Sequence, residues 1–180
     1  DFRTLSSLDL NESMVRIKLD TAYNDQAESN SPKGSLTWAN KMTENSGFVL
    51  GFTYASKNVI SQNNETGFGW DVDANGNDYM NDDFERRYYD LDRERVGLTL
   101  NFDYAPSDKT TLFARTLFNE YTDDEVRYKG EYKTLDVMDV QASSATYGRF
   151  DNDQETRDRV EVRKINAFSV GGDTFFNSGW

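Results

Sequence analysis

The chain has 180 residues, a formal net charge of −12, 36% hydrophobic residues and 29% charged ones. That length permits one ordinary domain, and no apolar run approaches the roughly 18 residues of a transmembrane helix, which excludes a helical membrane protein. The acidic balance argues against a nucleic-acid partner, and the absence of both Cys and His removes Cys nucleophiles, Ser-His-Asp triads and the usual zinc sites together.

Residues 1–12 carry mixed patterning, with a turn-like segment at Leu8-Asp9-Leu10-Asn11-Glu12. From Ser13 to Asn24 the residues Val15, Ile17, Leu19, Thr21 and Tyr23 share one face and Arg16, Lys18, Asp20 and Ala22 the other, the period of an amphipathic strand. After a polar connection and the Pro32 and Gly34 punctuation, Lys33 to Lys41 is read as a second strand, with Leu36 and Trp38 on its apolar side. A short reversal at Thr43 to Gly47 leads to a third, where Phe48, Leu50, Phe52 and Tyr54 alternate with Val49, Gly51, Thr53 and Ala55. Three strands with short links make a meander.

The clearest hairpin runs from Arg95 to Tyr121. In Val96 to Tyr104 every second residue is large and apolar, Ala105-Pro106-Ser107-Asp108-Lys109 supplies turn chemistry, and Thr111 to Tyr121 returns. The return strand shows Leu112, Ala114, Thr116 and Phe118 on one face, yet Phe113 and Leu117 on the other. A sixth strand is expected over Arg157 to Phe176, with Phe168 and Val170 on its apolar face, and Trp180 is expected to open a seventh. The fold class expected is therefore all-β, an antiparallel meander of about six long amphipathic strands.

Each arm of the hairpin has roughly the 9 to 11 residues that a tilted strand needs to cross a bilayer. The connections Ser61 to Glu94 and Tyr128 to Thr156 read as long, polar, acidic loops, and short turns alternating with long loops is the layout of an outer-membrane β-barrel. The 12 Phe, 10 Tyr and 3 Trp recur near strand ends, where interfacial girdles place them.

The same residues resemble a known family. The run Arg3 to Glu12 resembles the end of the plug domain and the start of the barrel in TonB-dependent outer-membrane receptors. Tyr23-Asn24-Asp25, Ser31-Pro32-Lys33 and the strand Gly47 to Gly51 are similar to their first barrel strands. Arg93-Glu94-Arg95-Val96-Gly97, Tyr104-Ala105-Pro106-Ser107-Asp108, Leu112-Phe113-Ala114-Arg115 and Asn119-Glu120-Tyr121 are similar to the fourth strand, its periplasmic turn and the fifth strand. The resemblance implies residues 1–12 as the end of a plug and 13–180 as part of a large transmembrane β-barrel, with two extracellular loops, 61–94 and 128–156. The chain is then read as a fragment of a receptor in the bacterial outer membrane. That receptor binds and imports a scarce nutrient, an iron chelate, cobalamin or an oligosaccharide. Its partners are the lipid bilayer and, through the plug, an energy-coupling TonB complex.

Two candidate sites lie in the first loop. Asp71, Asp73, Asn75, Asn77 and Asp82, with Gly76 at the sharp turn, reproduce a calcium-loop spacing of oxygen ligands, making Ca2+ the candidate ion. Phe68, Trp70, Tyr79, Arg86, Arg87, Tyr88 and Tyr89 cluster beside it, and aromatic faces with Arg forks can hold a sugar ring or an anionic chelate. No catalytic residue is expected: the adjacent carboxylates Asp82-Asp83 and Asp123-Asp124 point to opposite strand faces. The alternative to the receptor is a secreted or surface β-domain acting as a calcium-stabilised binding module.

Overall fold

A computed structural model describes residues 5–67, 69–80 and 82–176, with the side chains of Asp82 and Leu135 outside that description. Arg3, Thr4, Phe68 and Trp180, which entered the readings above, also lie outside it. The described chain is all-β apart from one 3-10 turn, Ser7–Asp9. The strands are β1 (Met14–Asn24), β2 (Ser29–Thr43), β3 (Ser46–Thr66), β4 (Trp70–Val72), β5 (Asp78–Met80), β6 (Asp82–Ser107), β7 (Thr110–Gln141) and β8 (Ser144–Thr174). Six of them form one sheet in the order β1-β2-β3-β6-β7-β8, and β4 pairs with β5 in a separate two-stranded ribbon. Sheet order follows chain order, as the meander requires.

The expected strands are present and longer than their apolar stripes. Residues 61–94 and 128–156, read above as long loops, are instead mostly strand, and the chain reverses from β7 to β8 within two residues. The physical reason is that these stretches keep the period of two without alternating oil and water. In Glu125-Val126-Arg127-Tyr128-Lys129-Gly130-Glu131-Tyr132-Lys133 one face alternates charges and the other carries rings, so a test for hydrophobic alternation fails on a sequence that still pairs well.

The chain divides into two compact units. Unit 1 comprises Asp1–Lys57, Asp92–Asp123 and Glu161–Trp180. Within it β1 and β2 pair without interruption from Met14↔Ala39 to Asn24↔Ser29, and β2 pairs with β3 from Lys33↔Ala55 to Thr43↔Ser46, with one irregularity between Lys41 and Thr43. The register places Val15 opposite Trp38 and Ile17 opposite Leu36, then Trp38 opposite Leu50 and Leu36 opposite Phe52, so one sheet face collects the large apolar side chains. That face is turned to the surroundings: Leu19 is 81% exposed and Phe168 73%, and Ile17, Trp38, Phe52, Leu98, Leu100, Phe102, Tyr104, Leu112 and Val170 are all exposed. The opposite face holds Ala39, Val49, Asn101 and Asp103, which are buried, Asp103 to 1% exposure.

Glycines let β3 and β6 approach on this inner face. A Cβ at Gly51 would stand 2.4 Å from Thr99 Oγ1, and one at Gly97 2.5 Å from Thr53 Oγ1.

Unit 2 comprises Asn58–Leu91 and Asp124–Val160, and includes the β4-β5 ribbon. Leu91 is its one buried large apolar side chain among the described residues; Asp83, Glu85 and Glu125 are buried instead. The 20.7 kDa chain exposes 12733 Å², against about 8,900 Å² for a folded soluble monomer of that mass.

Candidate functional site

Alternation along β6, β7 and β8 sorts the side chains of unit 2 onto two faces. One is ionic. The Lys129 ammonium donates to Glu131 at 2.9 Å and Glu85 at 3.2 Å and stands 3.3 Å from Glu155. Lys133 reaches Asp153 at 2.9 Å and Glu131 at 3.6 Å. Arg87 pairs with Glu65 and Glu85, Arg127 with Glu155, and Glu125 accepts from Arg157 Nε at 2.9 Å and from Arg159 at 3.3 Å. The bond from Lys129 holds the Glu131 carboxyl below its ordinary value, and the same bond raises Lys129. Lys133 likewise lowers Asp153, and Arg127 lowers Glu155.

Carboxylate oxygens of Asp83, Glu85 and Glu131 lie within 4.8 Å of one another, with Asp83 also accepting from the Gly67 amide at 2.6 Å. This cluster brings together residues 46 positions apart, and no local motif announces it. Its charge is met within the fold by Lys129, which reaches Glu85 and Glu131, with Arg87 also paired to Glu85 and Lys133 near Glu131.

The other face forms an open groove of about 670 Å³. Its rings are Tyr88, Tyr128 and Tyr132, its amides Gln62, Asn63, Asn64 and Gln154, and its charged groups Arg86, Arg87, Lys129 and Glu155, with Gly130 between the rings of β7. Tyr88 and Tyr128 stand 6.2 Å apart between centroids; Tyr132 lies 6.4 Å from Phe84 and stacks on Phe150 at 6.0 Å. Rings held close in these tilted and stacked pairs present a ready apolar surface.

The predicted ligand residues are therefore divided. Arg86, Arg87 and Tyr88 line the groove, although the Arg87 guanidinium is engaged by Glu65 and Glu85. Tyr89 follows on β6 with opposite facing. Trp70 and Tyr79 sit on the ribbon, Trp70 exposed and Tyr79 donating its hydroxyl to Asp71 at 3.3 Å. Phe68 lies outside the described residues. Sequence reasoning missed Gln62, Asn64, Tyr128, Tyr132 and Gln154; the signal for two of them was the Tyr-x-Gly-x-Tyr period of two.

The candidate calcium residues form the tip of the ribbon. β4 and β5 pair as Trp70↔Met80, Asp71↔Tyr79 and Val72↔Asp78. Asp73 accepts from the Asn77 amide at 2.8 Å, the Asn75 amide at 2.9 Å and the Asn77 side-chain nitrogen at 3.1 Å, and Gly76 turns the chain at φ +83°. These bonds, led by that from the Asn77 backbone, lower the Asp73 carboxyl from its ordinary value. The loop thus closes as an Asx-type turn around Asp73. The Asp82 side chain is not among the described ones.

In unit 1 the inner face centres on Asp103. It accepts from Ser6 Oγ at 2.9 Å and the Ser7 amide at 3.3 Å and pairs with Arg115, so the segment around the 3-10 turn is fastened to the sheet. Beside it opens a cavity of about 530 Å³ lined by Leu5, Arg16, Thr99, Asn101 and Leu117 among others. The second apolar face of the return strand, puzzling in the sequence, is accounted for: Leu117 lines this cavity, and Phe113 lies under the Arg115 guanidinium, 4.9 Å from its ring centroid.

Compared with protein families, with curated proteins and with solved structures, the chain matches none.

Proposed function

We propose that this chain forms part of the wall of a TonB-dependent outer-membrane receptor that binds and imports a scarce nutrient. One observation supports the reading above others: large apolar side chains on one face of the unit 1 sheet, Leu19, Leu100 and Phe168 among them, are exposed, while Asn101 and Asp103 on the other are buried, the reverse of a water-soluble domain. A bilayer covers such a face, and a polar lumen accepts the other. The spanning parts in this reading are the unit 1 strands.

In this reading strands and loops beyond the membrane capture the ligand, a plug gates the lumen, and an inner-membrane complex supplies energy through a periplasmic contact. The bond between Asp103 and the Ser6-Ser7 segment is where the chain leading from a plug is tied to the wall. The chain's role is binding and transport rather than bond chemistry.

Detergent dependence tests the proposal. Purified chain is expected to stay monodisperse only with amphiphile and to float with phosphatidylcholine vesicles on a density gradient. Monodisperse behaviour in plain buffer, with no flotation, would overturn it in favour of the soluble binding module.

A further inference from the structure

We propose that the groove on unit 2 is a binding site for an anionic saccharide. The inference goes beyond the receptor reading, because it stands on unit 2 alone whether or not unit 1 spans a bilayer. Three features of the groove converge. Its rings, Tyr88, Tyr128 and Tyr132, offer flat apolar faces of the kind that pack against the C–H face of a sugar ring. The amides of Gln62, Asn64 and Gln154 make no side-chain hydrogen bond to any described residue, so their donors and acceptors are available to hydroxyl groups.

The third feature is the charge. Arg87, Arg127, Lys129, Lys133, Arg149, Arg157 and Arg159 all have carboxylate partners. Arg86 is the one cation of unit 2 with no ion pair to a described residue, and it lines the groove. Glu155, which borders the same groove, is already neutralised by Arg127 and Lys129. The Arg86 guanidinium fork is therefore free to meet a carboxylate or phosphate on the sugar.

Gly130 gives the groove its floor. Glycine inside a strand weakens it and marks close approach of a ligand or another backbone. Here no backbone requires it: an added Cβ would meet the Tyr132 ring at 3.6 Å, an ordinary contact, and nothing closer. The space is left open rather than demanded by packing.

The test uses the full chain in an amine-oxide detergent, which carries no sugar headgroup, titrated calorimetrically with trigalacturonate and with the neutral maltotriose. Trigalacturonate is expected to bind more tightly than maltotriose. Arg86→Gln should weaken trigalacturonate about tenfold, the loss for one charge-assisted contact, and leave maltotriose unchanged. Gly130→Leu should abolish both, and Arg149→Gln, whose cation pairs with Asp151, should change neither. Far-UV circular dichroism confirms the fold of each variant, and if Gly130→Leu does not fold, Arg86→Gln alone decides. No saturable binding of trigalacturonate, or equal affinity in Arg86→Gln, would overturn the proposal.

Phosphatidylcholine vesicles with and without a glucuronosyl lipid separate two sources of the sugar. Recruitment beyond that to plain phosphatidylcholine, competed by trigalacturonate, assigns a glycolipid headgroup, and binding of the free sugar with no such gain assigns a soluble saccharide; either upholds the site.

Discussion

Replacing Lys129 with Met removes the cation that Glu85, Glu131 and Glu155 share while keeping the length of its stem. Asp83, Glu85 and Glu131 are then left with oxygens no more than 4.8 Å apart. At an effective dielectric of ~20, each ionised pair at that distance repels by about 3.5 kcal/mol. Water reaching the Glu131 side chain, 16% exposed, and protonation of one carboxyl relieve part of this, so the net loss near pH 8 is expected to be about 2–4 kcal/mol.

The sign of the pH dependence is the sharper readout. In the parent chain Glu131, Asp153 and Glu155 all titrate below their ordinary values, so the stability they contribute is present above those values and is lost as pH falls through the lower folded ones. Lys129 is raised above 10.5 and stays charged across the whole acidic range. In Lys129→Met the carboxyls lose that counter-charge and repel one another once ionised, so the variant is expected to gain less stability than the parent as pH rises from 5 to 8. Urea unfolding of the full chain in detergent, followed by fluorescence at pH 5 and pH 8, measures both. The parent should be at least as stable at pH 8 as at pH 5, and the variant should gain less than the parent between the two. A variant with the parent's pH slope would refute the argument that Lys129 is the counter-ion of this cluster.

Other expectations follow from single contacts. Asp103→Ala leaves Arg115 short of its buried partner and releases Ser6 and Ser7, so unfolding should cost about 2–4 kcal/mol less and limited proteolysis should cut near residue 10, where the parent resists. Gly97→Ala drives a Cβ to 2.5 Å from Thr53 Oγ1 and should destabilise by about 1–3 kcal/mol; Thr53→Ala in the same chain should restore most of it, and a double-mutant cycle with no coupling would show that the glycine serves something else. Asp73→Ala removes the acceptor of the ribbon turn, and native-state hydrogen exchange at the Asn75 and Asn77 amides should accelerate without change elsewhere. Leu100→Arg, on the exposed apolar face, should cost about 2–4 kcal/mol in a bilayer, the penalty for a charge near the midplane, and close to nothing if that face meets water.

The sequence reveals much of unit 1 because its strands have one apolar face. Val15 to Tyr23 and Val96 to Tyr104 carry period-two stripes that place both strands and turn them correctly. Unit 2 was harder to read. Along β7 the alternation is between ions such as Arg127, Lys129 and Glu131 and residues such as Tyr128, Gly130 and Tyr132, so the strand period is written in charge and shape rather than in hydropathy. The groove was half legible: Arg86 and Tyr88 were singled out by type, but their partners come from β3, β7 and β8, and only pairing brings those strands together. The Asp71 to Asp82 motif shows a further limit. The same Asp-x-Asn-Gly chemistry that suits a cation loop also makes an Asx turn, and the bonds around Asp73 are those of the turn.

The central claim is that the exposed face of unit 1 meets lipid. The chain has no cysteine, so single cysteines can be placed at the exposed positions Val15, Arg16, Ile17, Lys18, Leu19 and Asp20 of β1 in turn and labelled with a polarity-sensitive fluorophore after reconstitution into vesicles containing brominated phosphatidylcholine. The account predicts a period of two: labels at 15, 17 and 19 blue-shifted and quenched by bromine, and labels at 16, 18 and 20 neither. Uniform labels with no bromine quenching at 15, 17 and 19 would contradict it.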